Sequence, residues 1–354
     1  MTHSEIFIYD SPPAKCPLKG EFAFAVVGLA HGHIFSMCQG LINAGATLKY
    51  VYEEDENLLK PFLKSFPNVT VCRSEEETIQ RDDIRLVASA AIPVRRAEIA
   101  IKAMESGKDF FVDKAPVISL EQLAAVDSVR QKTGRKYFIY YGESVCNESA
   151  VFARSLIQRG VIGEVFHINS TGPHRLNAPT RKDWFFRREN TGGILIDLVC
   201  HQIHQYLEFA DADDATVDFA RTANRFHRQY PGIDDFGDMD CTTTGGITGH
   251  FQVDWFTPDG LSTWGDGRTV IQGTDGFIEL RKYCDLARPK GGNHVYVVTH
   301  DGEFYENVTG KVNSNYYSRI ISDCLNRTDT AMNTRRAMKA IEIAIRGQML
   351  AQNK

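Results

Sequence analysis

The sequence predicts an α/β protein: a doubly wound parallel sheet first, then a C-terminal α+β domain with a mostly antiparallel open sheet. Three observations predict it. Six apolar residues, 22–27, run straight into the turn Gly28-Leu29-Ala30-His31-Gly32-His33, which opens a helix-compatible stretch at 34–44. A strand buried on both faces, a glycine turn and a helix start make the first unit of a dinucleotide-binding (Rossmann) fold. The unpaired N–H groups of such a helix end can hold a pyrophosphate. Apolar runs then alternate with helical patterns over residues 22–141, as in a parallel sheet with crossover helices. Beyond residue 142 the strand-like runs crowd together without intervening helices, which makes the second sheet mostly antiparallel.

Composition narrows the class. A chain of 354 residues is long enough for about two domains. We read an N-terminal extension at 1–20, the dinucleotide-binding domain at 21–142 and a substrate-binding and oligomerisation domain at 143–354. Hydrophobic content of 43% and charged content of 24% are ordinary for a globular protein. Net charge is −5, with no block of basic residues, so nucleic acid is not an expected partner. Eight scattered cysteines with no Cys-x-x-Cys argue against a zinc ribbon or a disulfide framework and fit a reducing, cytoplasmic setting. No apolar run has the length of a membrane span, and residues 1–20 hold three prolines rather than the apolar core of a signal peptide.

Taken in order, the second strand reads at 46–52 and ends at Glu53-Glu54-Asp55. Glu53 lies 25 residues beyond Gly28, near where such a unit places an acid on the adenine ribose; a solvated acidic loop is the alternative. A helix at 58–66, a small strand at 69–72 and a capped helix at 74–79 follow. A buried strand at 86–90 ends at Ile92-Pro93, and an amphipathic helix at 96–106 is closed by Gly107. The strand at 109–112 runs into Asp113-Lys114-Ala115-Pro116, a helix at 120–132 stops at Gly134, and a strand occupies 136–141. In the second part a helix at 148–159 precedes a strand at 165–171. Further strands read at 241–255, 269–272, 277–280 and 295–299, and helices at 316–325 and 334–351 close the chain. Gly273-Thr274-Asp275-Gly276 fits a hairpin connection.

The most informative stretch of the second part is Gly192-Gly193 followed by a helix through 208. Nearly everything from 194 to 200 is apolar except Asp197, and a helix apolar almost all round is buried. Asp197, His201 and His204 fall at i, i+4 and i+7, one face of an α-helix. A carboxylate beside an imidazole fixes its tautomer and raises its basicity, as a general acid/base needs. A structural Asp–His pair and a three-ligand metal site fit the same spacing. Lys114 follows a buried strand directly and so stands at the carboxyl edge of the sheet, where α/β folds bind ligands; a surface lysine at a strand end is the alternative. His174 and Arg175, and Trp184 after Arg181-Lys182-Asp183, lie on donor-rich loops that either line a cleft or are solvated.

With these residues in place the chain resembles the Gfo/Idh/MocA family, the glucose–fructose oxidoreductase and inositol dehydrogenase group, over about residues 22–352. The landmarks fall in order: the glycine turn, the Pro93 turn, Met-Glu-Ser-Gly-Lys at 104–108 before Asp-Lys-Ala-Pro, Arg-Gly-Val-Ile-Gly-Glu-Val at 159–165, Asp183-Trp184, Gly-Gly-x3-Asp-x3-His at 192–201 and Gly-Thr-Asp-Gly at 273–276. The resemblance implies Lys114, Asp197 and His201 around the reacting substrate carbon; the donor-rich loops add His174, Arg175 and Trp184 as substrate contacts, and His204 adds one a turn beyond His201. It implies NAD, less readily NADP, on Gly28, Ala30, His31, His33, Glu53, Ile92, Pro93 and Lys114, and no metal. It also implies a sugar, cyclitol or related polyol as substrate and a homodimer or homotetramer built through the C-terminal sheet. Asp-Lys-Ala-Pro stands where the family has Glu-Lys-Pro, His204 where it often has Asp or Asn, and Ala30 and His33 depart from the glycine fingerprint. An NAD-dependent glycoside hydrolase and a non-catalytic NAD-sensing protein are the rival readings on the same fold.

Glu53 should repel a 2′-phosphate, and no arginine stands at 54–59 to neutralise it. Titration of the protein with both dinucleotides should therefore show tighter binding of NAD than of NADP; the reverse order would remove Glu53 from the cofactor site.

Overall fold

The computed structural model describes residues 1–9 and 22–353. The described residues form two compact units. One runs from residue 22 to Tyr140 and takes in Asn315–Ala337; the other holds residues 1–9, Tyr141–Ser314 and 338–353.

In the first unit β1 (Ala23–Val27), β2 (Thr47–Tyr52), β3 (Thr70–Val71), β4 (Leu86–Ser89), β5 (Asp109–Asp113) and β6 (Tyr137–Tyr140) make one parallel sheet, ordered β3-β2-β1-β4-β5-β6. All residues of β1, β4, β5 and β6 are buried, which is why they read as apolar runs without polar alternation, interrupted only at their ends by Ser89, Asp109 and Asp113. The strand order reverses between β1 and β4, and ligands of such sheets bind at the carboxyl side of that reversal. Gly28 stands there. Its φ is +86°, and a Cβ on it would lie 2.5 Å from the Ala91 Cβ. The close approach is fixed by Ala90 N–H donating to Gly28 O (3.1 Å) and His31 N–H donating to Ala90 O (3.0 Å).

The connecting helices follow their local signals. Ser74 caps Glu75–Ile79 by accepting from Glu77 N–H, and Gly134 ends Leu120–Thr133 with φ +65°. The helix expected at 96–106 begins earlier, at Pro93, because proline suits a first helical turn. The helix Tyr316–Asn326 returns to this unit through side chains: Tyr316 OH donates to Ile139 O (2.9 Å) and Tyr317 OH to Ser36 O (3.2 Å), while Arg327 pairs with the buried Asp109.

The second unit is built on eight strands: β7 (Val165–Pro173), β8 (Ala215–Ala223), β9 (Phe236–Thr243), β10 (Thr248–Asp254), β11 (Arg268–Gly273), β12 (Gly276–Arg281), β13 (His294–Thr299) and β14 (Gly302–Asn307). Their order is β14-β13-β12-β11-β7-β10-β9-β8, and every pair is antiparallel except β7 with β10. Gly273 pairs with Gly276, so Thr274-Asp275 is the two-residue hairpin turn that the sequence announces. The run expected as one strand at 241–255 is instead two strands, reversed at Thr244–Gly246, where Gly246 takes φ +85°. The strands β8 and β14 were not foreseen. Both carry many polar residues on half-exposed positions, which leaves little apolar alternation to read.

The helix expected at 194–208 is continuous through Phe209, but it winds as a π-helix over Leu195–Val199 before becoming α-helical at Cys200. Gln348 accepts from Leu195 N–H (3.0 Å) and so satisfies one of its first free donors. Of the expected extension, residues 10–20 lie outside the described residues. Residues 1–9 form a short helix, His3–Ile6, whose Ile6 is fully buried and whose Phe7 stacks on Phe152.

Gly28→Ala should destabilise the protein by about 2–4 kcal/mol in chemical denaturation, the sum of a left-handed alanine and an overpacked contact at Ala91. A variant of wild-type stability would show that the turn after β1 is free to move away from β4.

Candidate active site

Each unit carries its own cluster of polar side chains. In the first, the turn after β1 presents His31 and His33, and the end of β5 presents Asp113 and Lys114. Asp113 is fully buried. Its carboxylate faces His31 Nδ1 at 3.1 Å, His33 Nδ1 at 2.8 Å and Arg96 Nη2 at 3.1 Å. Burial alone would raise this carboxyl; His33, His31 and Arg96 outweigh it and hold Asp113 well below the ordinary range. Burial, with His33 next, pushes the His31 imidazole down to about 4. Arg96 also donates to the carbonyls of Ala91, Asp113, Lys114 and Ala115, and so fixes the backbone on which buried Lys114 stands. The peptide bond Lys114–Ala115 is cis.

These residues fit a dinucleotide. Among the described residues the Ala30 and Gly32 N–H groups have no hydrogen-bond acceptor, and none lies within 4 Å of where a Gly32 Cβ would project, so an anion has donors and room there. Glu53 stands at the end of β2. Its two carboxylate oxygens accept from Leu29 N–H (2.7 Å) and Asp55 N–H (3.0 Å), which ties it to the glycine turn itself. Ile92 and Pro93 stand at the start of the helix that follows β4.

In the second unit every residue from Gly193 to Leu207 is buried except Asp197. Its neighbours in a cleft are Phe185, Thr191, Ile194, Ile233, Asp234 and Trp255. Arg181 lies over the Phe185 ring (4.3 Å) and the Trp255 ring (5.3 Å); burial lowers its pKa while Asp197 opposes the shift. Along the same helix His201, Gln202, His204 and Gln205 are all buried. Tyr141 stacks on His204 (4.7 Å) and meets His201 edge-on (6.0 Å), and Ser144 Oγ lies 2.8 Å from His204 Nδ1. Glu143 pairs with the fully buried Lys282 at 2.7 Å. Burial would raise the Glu143 carboxyl, but Lys282, then His201 and His174, hold it far below the ordinary range.

The predicted substrate contacts fall in different settings. His174 Nδ1 donates to Gly172 O (3.0 Å), so its neutral ring carries the lone pair on Nε2, and the ring packs on Trp264 and Trp255. Arg175 points its Nη2 at the carbonyls of Pro258 (2.9 Å), Leu261 (2.8 Å) and Thr263 (3.0 Å), which makes it a fastener of that loop. Trp184 lies on a 3-10 turn, and its buried indole N–H has no hydrogen-bond partner among the described residues. Sequence reading missed Tyr141, Glu143, Ser144 and Lys282. The available signal was position: Tyr141–Ser144 follow β6 directly, at the carboxyl end of a buried parallel strand.

The Glu143–Lys282 pair sets a pH dependence. Glu143 has a folded pKa below its unfolded value of 4.5, so its stabilisation is complete above that pH and is lost as pH falls toward the folded value. Glu143→Gln should cost about 3–5 kcal/mol at pH 7, because Lys282 stays buried without its counter-ion. It should also flatten the acid limb in urea melts between pH 3 and 7. An unchanged acid limb would assign that limb to other carboxylates.

Comparison with known proteins agrees with this architecture. A family model described as GFO/IDH/MocA C-terminal domain matches residues 151–279. The structure of a protein of Erwinia carotovora atroseptica SCRI1043, described as an oxidoreductase, superposes with a TM-score of 0.92 at 44% identity, covering 94% of this chain and 99% of that one. A levoglucosan dehydrogenase in complex with NADH and levoglucosan superposes at 0.79 with 14% identity, over 94% and 98% of the two chains, and so shares the fold. Curated relatives match over short stretches. Glycosyl hydrolase family 109 protein 1 of Phocaeicola vulgatus is 29% identical over 101 residues, 28% of this chain and 21% of its own length. D-xylose dehydrogenase of Paenarthrobacter nicotinovorans is 22% identical over 131 residues, 36% and 34% of the two chains. The chain thus spans about a fifth to a third of these curated relatives. The nearly full-length counterpart, the matched domain and the two sheets with their landmark residues place this chain in the GFO/IDH/MocA family of oxidoreductases.

Proposed function

We propose that this protein is an NAD(H)-dependent oxidoreductase acting on a hydroxyl-bearing carbon of a sugar, cyclitol or related polyol. What supports the reading is the buried helix of the second unit, which carries His201 and His204 among apolar residues close to Tyr141 and Glu143, with the half-buried Asp197 on the π-helical turn before them. Groups of this kind are retained in a core when they are satisfied by one another or face a ligand. A bound nicotinamide would supply the hydride acceptor or donor, and the protein supplies position and proton transfer.

In this reading His201 takes the proton from the substrate hydroxyl. Glu143 and Asp197 are the carboxylates that stabilise its charged form, and Tyr141 holds the two imidazoles in place by ring contact. Lys114 supplies a cation to a substrate oxygen. The Phe185, Trp255 and Trp264 rings, with the His174 Nε2 acceptor and the Trp184 donor, suit a polyol, whose C–H faces pack on aromatic rings and whose hydroxyls need several convergent polar partners. Glu53 favours NAD. The sheet of the second unit is the proposed surface for a homodimer or homotetramer, and the cytoplasm the proposed setting.

The partial likeness to a family 109 glycosyl hydrolase supports one rival, a hydrolase in which the dinucleotide is oxidised and reduced within each cycle. The two readings separate on net NADH: a dehydrogenase accumulates it from NAD and polyol, and the hydrolase does not.

A dye-coupled screen of sugars and cyclitols with NAD should yield turnover, and His201→Ala should cut it by about 10²–10⁴-fold, the usual worth of a general acid/base, with NAD affinity near wild type. Unchanged turnover in His201→Ala would shift the base to Lys114.

A further inference from the structure

The cluster at the end of β1 and β5 has a property that cofactor and substrate binding do not need. Among the described residues, His31, His33 and Asp113 are the group whose ligating atoms, two imidazole nitrogens and a carboxylate oxygen, all lie within 4.8 Å of one another. Both rings turn the same atom, Nδ1, toward the same carboxylate, at 3.1 and 2.8 Å. The rings cross at 78° with centroids 4.2 Å apart, so their edges converge rather than stack. From this convergence we propose that His31, His33 and Asp113 form a binding site for a first-row transition-metal dication that prefers imidazole, such as Zn²⁺, Co²⁺ or Ni²⁺.

The three donors are within 4.8 Å of one another and must draw closer around an ion. With metal–ligand distances of about 2.0–2.2 Å, neighbouring donor atoms of a tetrahedral site lie roughly 3.3–3.5 Å apart. The His33 Nδ1–Oδ1 separation of 2.8 Å would widen by a few tenths of an ångström, His31 Nδ1, now 3.1 Å from Oδ2, would turn toward Oδ1, and both rings would hold their proton on Nε2 so that Nδ1 offers its lone pair. His31 and His33 flank Gly32, around which there is open space, so the turn can make that adjustment. Both rings keep about a quarter to a third of their side-chain surface exposed, 27% and 36%, which leaves a solvent-facing position for a water or anion as further ligand.

Charge decides the class of ion. Asp113 is the single anion of the cluster; Arg96 holds its Oδ2 and Lys114 is a second cation close by. A hard cation such as Mg²⁺ or Ca²⁺ needs several oxygen ligands and does not find them here. A nitrogen-seeking ion draws its affinity from the two imidazoles and takes Asp113 through Oδ1, while Arg96 orients the carboxylate through the other oxygen. The inference does not depend on the proposed redox reaction.

Untagged, full-length protein stripped with chelator should be titrated with Co²⁺ at pH 7.5 by absorbance and calorimetry. The expected result is one saturable equivalent with weak visible bands and no intense near-ultraviolet thiolate band, which separates this site from the cysteines. His33→Asn and His31→Asn should each weaken binding by at least about tenfold, and Mg²⁺ should not compete. X-ray absorption of the cobalt-loaded wild type should show the scattering of two imidazoles, a readout that needs no variant to fold. Absence of a saturable equivalent, wild-type affinity in folded His33→Asn, or a first shell without imidazole would overturn the site.

Discussion

A guanidinium and a carboxylate, Arg96 and Asp113, are buried together with 1% and 0% of their side chains exposed, and the first unit depends on them. A charge in such a place costs several kcal/mol unless it is paired and bonded throughout. Arg96 meets that condition through one carboxylate and four carbonyls that belong to the end of β4 and the segment after β5. Asp113 meets it through Arg96 and two imidazoles from the turn after β1. Three chain segments that are far apart in sequence are thereby joined at one edge of the sheet. The backbone geometry of the glycine turn and of Lys114 follows from the same pair.

The second unit repeats the principle with Glu143 and Lys282, but puts it to a different use. Here the ion pair lies beside a helix whose buried face carries two histidines and two glutamines. Lys282 bonds Glu143 and approaches Gln205, whose amide donates to the Glu143 carbonyl, so the charge pair and the helix are locked to one another. A partly satisfied polar network in a core is costly, and a fully joined one rigidifies its surroundings. Gln202 is less well placed: among the described residues neither of its buried amide atoms has a hydrogen-bond partner, and its amide nitrogen would lie 2.5 Å from a Cβ at position 172, so a side chain there would require the Gln202 amide to move. A buried water is the usual answer to such a group.

Much of this was legible in the sequence, and the reasons for the rest are physical. Strands buried on both faces announce themselves, so β1, β4, β5 and β6 were readable, as were the caps at Ser74 and Gly134 and the hairpin at 273–276. Half-exposed strands such as β14 lack that contrast. The π-helical turn was invisible, because the spacing of Asp197 and His201 is equally compatible with an α-helix. Glu143 was missed because what marks it is a lysine 139 residues away. Arg175 shows the converse limit: a donor-rich residue looks the same in sequence whether it faces a ligand or the carbonyls of its own protein. The roles of Lys114, Asp197 and His201 came from resemblance, since spacing by itself left a structural pair and a metal site open.

Arg175 grips the loop that runs from Pro258 to Thr263 mainly by main-chain oxygens, with one side-chain contact, an ion pair to the Asp259 carboxylate at 3.3 Å. Every amino acid carries that oxygen, so the path of the loop is indifferent to which side chains it bears. The Asp259 contact changes this little, because that side chain is 97% exposed and an ion pair so open to water contributes little. Drift or deliberate randomisation over these few positions can therefore change the chemistry displayed beside Trp264 while the scaffold beneath keeps its shape. In evolutionary terms the clamp separates what the loop says from where it stands, and makes it a natural place for related enzymes to diverge.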